Sequence, residues 1–161
     1  MANEFADHTS IGYLIFEADS DSIKSYTKFY QQGKYRVAIP AVKDAATSDI
    51  YLTHIDSGAE WWTGVSLVNT TADTKNVTLI FNTGATRSIT INANEHKAFT
   101  ISSLFDNQPQ PSIQSAVITN ASGIVGLELF GTYDNKQLEG IVLTDKTTSV
   151  LYYPHVISDG W

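Results

Sequence analysis

The chain has 161 residues, enough for one domain with a sizeable core, and its 10 basic and 17 acidic residues leave a net charge of −7. A pI near 4.8 argues against a protein that binds nucleic acid through a basic face. The sequence contains no cysteine, which excludes disulfides, cysteine-ligated zinc, iron–sulfur clusters and thiol nucleophiles. No apolar stretch approaches the ~20 residues of a membrane-spanning helix, so we expect neither a nucleic-acid partner nor membrane insertion.

Short runs rich in β-branched and aromatic residues follow one another along the chain, separated by polar turn residues. The predicted strands are 11–16, 35–39, 50–55, 63–68, 77–81, 88–91, 97–101, 113–119, 124–130, 137–143 and 150–156. Residues 82–85 and 120–123 predict hairpin turns, and the helical signals are limited to single turns at 102–105 and 43–46. About ten strands at this spacing with little helix predict an all-β fold, an antiparallel β-sandwich of immunoglobulin-like or jelly-roll type.

The segment 124–143 predicts a hairpin with a defined register. A turn at 133–136 places Phe130 opposite Glu139 and Glu128 opposite Ile141. Leu127 and Leu129 then lie on an apolar face, which we expect to face the core, and Glu128 lies on a mixed face. By the same alternation the neighbouring residues Trp61 and Trp62 point to opposite faces, one toward the core and one near the surface.

Two blocks of sequence recur in the same order. Residues 11–16 (IGYLIF) resemble 125–130 (VGLELF), and 50–55 (IYLTHI) resemble 151–156 (LYYPHV). Ordered repetition of this kind predicts a piece of a serial array. We expect residues 1–10 to be disordered or tag-like and 11–161 to form one sandwich unit. In that unit, 11–49 is a partial preceding repeat packed onto the body and 150–161 is the start of a following repeat.

The landmark residues also resemble a known family. The run Tyr152-Tyr153-Pro154-His155, the segment 62–69 (WTGVSLVN) and the segment 126–131 (GLELFG) are similar to a tandem β-sandwich repeat of large bacterial exported and cell-surface proteins. The first copy departs from the pattern, since Thr53 replaces the proline and Glu17 the final glycine. The resemblance implies an extracellular or cell-surface, modular, non-catalytic protein whose partners are neighbouring repeats of the same polypeptide, and it assigns no catalytic residues.

The aromatic and acidic residues near the second block suggest a ligand site. Aromatic rings next to carboxylates suit sugar binding, and this predicts a site whose members are His54, Asp56, Glu60, Trp61, Trp62, Tyr152 and His155. A structural interpretation stays open beside it, in which the aromatics fill the sandwich and the acids are solvated. The sequence therefore predicts a non-enzymatic spacer, adhesion or ligand-binding module that contacts a glycan or a surface protein, with a carbohydrate-binding module as the alternative.

Two further patterns bear on metals and catalysis. Residues 19–22 resemble the start of a calcium loop, but Lys24 and Tyr30 stand where an EF-hand needs Gly and Glu, so we expect no cofactor, with a looser calcium site as the alternative. Glu128 and Glu139 on one hairpin face suit the carboxylate pair of a glycosidase. A small jelly-roll hydrolase is thus the second alternative.

Overall fold

The computed structural model describes residues 12–21 and 23–150 of the chain. Within these ranges it contains ten β-strands and a single 3-10 turn, Ser102–Phe105, so the predicted all-β class is confirmed. The strands are β1 Tyr26–Gln31, β2 Tyr35–Pro40, β3 Ile50–Leu52, β4 Trp61–Asn69, β5 Lys75–Phe81, β6 Thr86–Ile91, β7 His96–Thr100, β8 Ala116–Thr119, β9 Ile124–Thr132 and β10 Leu138–Val142.

Eight of the strands form two four-stranded antiparallel sheets that enclose the main core. The front sheet has the order β10-β9-β4-β7 and the back sheet the order β3-β8-β5-β6. Alternate residues of both sheets, such as Val65 and Leu67 in front and Val77 and Leu79 behind, are buried in one hydrophobic cluster. Two sheets that share their inward-facing residues in this way have the arrangement of a β-sandwich.

The predicted runs between residues 35 and 143 all contain a strand, but the N-terminal part differs from the prediction. Residues 12–16 form no strand, and Leu14, Ile15 and Phe16 are exposed, because an extended apolar run becomes a strand only where a neighbouring edge accepts its hydrogen bonds. The sequence does not predict strand β1, because only Phe29 of its residues is even half-buried and no apolar alternation marks it. Most of the predicted run 150–156 lies outside the described residues.

The two predicted turns have different outcomes. Residues 82–85 join β5 to β6, which pair within the back sheet, and Gly84 adopts a φ of 85° as the turn requires. Residues 120–123 join β8 in the back sheet to β9 in the front sheet, so the predicted hairpin there is wrong. The reason is burial: Ala121 and Ile124 are both 0% exposed, and the chain passes from sheet to sheet to bury them.

The β9–β10 hairpin has the predicted register and the opposite orientation. Phe130 pairs with Glu139 and Glu128 with Ile141, as predicted. However, the face that carries Glu128 points into the sandwich, where Glu128 is 0% exposed, and Leu127 lies on the outer face. The expectation that the Leu127 face would line the core between the sheets is therefore wrong. That face is apolar because it packs against a second layer outside the sandwich.

That second layer is the two-stranded hairpin β1–β2, which packs on the outer face of the front sheet. Val37, Ile39 and Leu138 are buried together in a separate hydrophobic cluster, and Trp62 and Leu129 pack against it. The contact is close at Gly140, where an added Cβ would meet the side chain of Ile39. Residues that precede the sandwich thus cover part of its outer surface.

Candidate functional site

The predicted ligand-site residues are distributed over both faces of the front sheet. The exposed ring of His54 packs edge-on against Phe130, with ring centroids 4.4 Å apart. Trp61 lies 6.5 Å from the same ring, so His54, Phe130 and Trp61 form one aromatic group at the rim of the sandwich. Trp62 belongs to the other face and packs against the hairpin cluster. The two tryptophans do point to opposite faces, but both are half-buried, so the expected contrast in burial is wrong.

The predicted carboxylates border this rim on the loop that connects β3 to β4. The backbone N–H of Asp56 donates to Thr63 Oγ1 at 2.9 Å, and that hydroxyl donates to the carbonyl oxygen of Asp56 at 2.7 Å. Glu60 is exposed, and its carbonyl oxygen accepts a hydrogen bond from the backbone N–H of Tyr133. These bonds fix the loop through its backbone and leave the Glu60 side chain facing solvent. Tyr152 and His155 lie outside the described residues.

A Ser–His pair that the sequence did not indicate lies on the outer face of the front sheet. Ser66 Oγ is 2.9 Å from His96 Nε2. Ser66 borders a shallow hollow of about 330 Å³ whose lining is almost entirely apolar and includes Trp62, Ala98 and Leu129. Because β4 pairs with β7 only through the tertiary fold, no local spacing connects these two residues in the sequence.

The surroundings of this pair suit a structural hydrogen bond better than acyl transfer. Ser66 is in the middle of β4, which pairs with β7 on one side and β9 on the other. The neighbouring backbone N–H groups therefore belong to the sheet ladder, whereas an oxyanion hole needs donors aimed at the reacting carbonyl. Gly12 also lies against the imidazole, since an added Cβ would be 2.8 Å from His96 Nδ1.

Glu128 is the most unusual ionisable residue of the described chain. Its side chain is 0% exposed, and within the described residues neither carboxylate oxygen has a hydrogen-bond partner. Burial disfavours the charged form and raises the pKa of Glu128 from 4.5 to about 7. Glu139, by contrast, is exposed on the edge strand β10. The two carboxyls do not share an open cleft, which argues against the glycosidase alternative.

Residues 12–21 and 23–150 hold no group of three or more His, Asp and Glu side chains that could bind a metal ion. The acidic segment considered for calcium places Asp19 and Asp21 in an exposed bend before β1. The same part of the chain has no helix long and apolar enough to cross a membrane.

Comparisons with protein-family models, with curated proteins and with solved structures found no match to the chain.

Proposed function

We propose that the chain is a non-catalytic β-sandwich module of a larger exported bacterial protein, in which it serves as a structural spacer, adhesion domain or ligand-binding domain. The observation that carries this proposal is the apolar outer face of the front sheet. In an antiparallel sandwich that face is ordinarily solvated, but here Leu127, Leu129 and Val142 lie there beneath the β1–β2 hairpin. A sheet that is apolar on both sides needs a covering layer, as successive units of a serial array provide.

The β1–β2 hairpin covers only part of the apolar outer face of the front sheet. The hollow beside Ser66 shares Trp62, Leu127 and Leu129 with the surface that the hairpin covers. It is therefore continuous with an interface that the chain already forms. We expect an adjoining unit of the same polypeptide to occupy it, since an exposed apolar patch beside an existing contact favours further association.

We call the apolar outer face of the front sheet, with Trp62, Leu127 and Leu129, the docking surface. It is tested by displacing the hairpin with the substitution Ile39→Asp. Ile39 is 2% exposed, and replacing a buried isoleucine by a charged residue costs at least the ~1.5–3 kcal/mol of its apolar burial. We expect a red shift of tryptophan fluorescence as Trp62 becomes solvated, and self-association that increases with concentration in sedimentation velocity.

Ala38→Asp is the matched control, because Ala38 is the preceding residue of β2 and lies on its exposed face. It introduces the same charge and should leave both the fluorescence and the sedimentation unchanged. A monomeric Ile39→Asp variant with an unshifted spectrum would contradict the proposal that the front sheet is a docking surface.

The carbohydrate-binding alternative has one specific observation in its favour, the rim group formed by His54, Trp61 and Phe130. It predicts that a glycan shifts tryptophan fluorescence and that Trp61→Ala abolishes the shift, while Trp62→Ala, on the opposite face, preserves it.

A further inference from the structure

The basic residues of this acidic chain are concentrated in one segment. Residues 22–43 contain five of the 10 lysines and arginines and none of the 17 aspartates and glutamates. All five cations are exposed: Lys24, Lys28, Lys34, Arg36 and Lys43. The ion pairs within the described residues use Lys97, Lys136 and Lys146 instead, so no cation of this segment is paired with a carboxylate there. The segment is thus a positive surface on a negatively charged molecule.

The register of β1 and β2 combines these cations with aromatic rings on the face that points away from the sandwich. Tyr26, Lys28 and Tyr30 alternate along β1, and Tyr30 pairs directly with Arg36 on β2. The tyrosines are 65% and 66% exposed, although rings of this size are usually buried. Lys28 Nζ lies 5.6 Å from the centroid of the Tyr30 ring, within the range of a cation–π contact. We refer to these four residues as the hairpin stripe.

The chemistry of the hairpin stripe matches a ligand that carries both ring faces and negative charge. A tyrosine ring offers an apolar face for stacking and a hydroxyl for hydrogen bonds, and an arginine binds a carboxylate through two parallel N–H donors. Tyr26 and Tyr30 are four residues apart on one strand, which corresponds to about 13 Å. That spacing on an open strand face suits an extended chain better than a single small molecule.

We infer that the hairpin stripe binds an acidic polysaccharide, with sugar rings stacked on Tyr26 and Tyr30 and their carboxylates held by Lys28 and Arg36. The sugar rings of such a polymer would contact the tyrosines while its carboxylates contact the cations. An acidic protein surface needs only the cations, and leaves two exposed tyrosines without a role. Proteins that bind nucleic acid usually have a basic overall charge, whereas this chain has a net charge of −7, so single-stranded nucleic acid is the competing outcome that the test distinguishes.

The test uses the full chain and three polymers in affinity electrophoresis and calorimetry: polygalacturonate, its methyl ester and single-stranded oligo-dT. We expect the chain to bind polygalacturonate and the binding to weaken at least tenfold when the carboxylates are esterified. It should also weaken at least tenfold in 0.5 M NaCl, which screens the charges by shortening the Debye length to only a few Å. Arg36→Ala and Tyr30→Ala should each weaken binding at least tenfold.

The controls remove the same chemistry elsewhere on the surface. Lys75→Ala removes a cation from the back sheet, and Tyr133→Ala removes a tyrosine that is 54% exposed in the β9–β10 turn. Both should bind polygalacturonate as the original chain does. Equal affinity for the ester, tighter binding of oligo-dT, no binding of polygalacturonate, or an unchanged Tyr30→Ala variant would each overturn the inference. None of these results affects the proposed docking surface, which concerns the opposite face of the hairpin.

Discussion

Glu128 makes the stability of this protein depend on pH in a specific direction. The carboxyl is 0% exposed inside the sandwich and has no hydrogen-bond partner among the described residues. Its pKa is raised by burial, so the folded state keeps a proton that the unfolded chain has already lost. The perturbation that removes this effect is Glu128→Gln, which preserves the size of the side chain and cannot ionise.

The magnitude follows from the two pKa values. The pKa of Glu128 is 4.5 in the unfolded reference and about 7 in the fold, and each pKa unit corresponds to about 1.4 kcal/mol. Between these values the folded state binds more protons than the unfolded state, so the free energy of unfolding falls as the pH rises. The contribution of Glu128 is complete below pH 4.5 and is lost as the pH rises through 7 to 8, a loss of about 3 kcal/mol.

Urea unfolding followed by tryptophan fluorescence measures this effect at pH 4.5, 6 and 8. Because all other groups titrate alike in both proteins, the difference between Glu128→Gln and the original chain isolates Glu128. We expect that difference to move by about 3 kcal/mol in favour of the glutamine variant between pH 4.5 and 8. Glu139→Gln, on the exposed edge strand β10, is the control for the carboxyl-to-amide change itself. A difference between Glu128→Gln and the original chain that stays constant from pH 4.5 to 8 would refute the reasoning.

Two further predictions concern packing and buried polarity. Asn69→Ala should lower the free energy of unfolding by about 3 kcal/mol. Asn69 is 0% exposed and donates to three carbonyl oxygens, at 2.7, 2.9 and 3.2 Å, that would each lose a partner. Asn76→Ala, at an exposed position, is the control in urea unfolding, and equal losses in the two variants would contradict this reason. Gly140→Ala should cost about 1–3 kcal/mol by overpacking against Ile39, measured as a lower midpoint in thermal unfolding. Gly58→Ala, where the nearest atom is 3.5 Å from the added Cβ, should change the midpoint little, and an equal drop in both would show that Gly140 is not a close contact.

The register of the β9–β10 hairpin was predictable from local sequence, but its orientation in the sandwich was not. Its turn and the pairing of Phe130 with Glu139 were predictable because a short turn sets the register of two adjacent strands. Which face points inward was not, since that depends on what covers the sheet from each side. The hydrophobic pattern favoured Leu127 and Leu129 for the core, and they are covered by the β1–β2 hairpin, whose first strand has no apolar alternation in the sequence.

In the candidate sites, too, the sequence identified individual residues, whereas their contacts depend on the tertiary structure. Trp61 and Trp62 were recognisable from composition and alternation, whereas the contact of Trp61 and His54 with Phe130 required the loop after β3 to approach the end of β9. The hydrogen bond between Ser66 and His96 joins non-consecutive strands and has no signature at all in the linear chain. The repeated blocks at 11–16 and 125–130 remain a prediction of a serial array, although only the second forms a strand in the described residues.

Sequence alone determined the all-β class, most strand positions and the register of the β9–β10 hairpin, because period-two alternation and turn residues act over a few neighbouring residues. Tertiary structure decided the rest: which sheet each strand joins, that β8 crosses to β9 instead of forming a hairpin, and that a carboxyl ended up inside the core. Those outcomes depend on the total apolar surface removed from water across distant segments, a quantity that no short window of sequence contains.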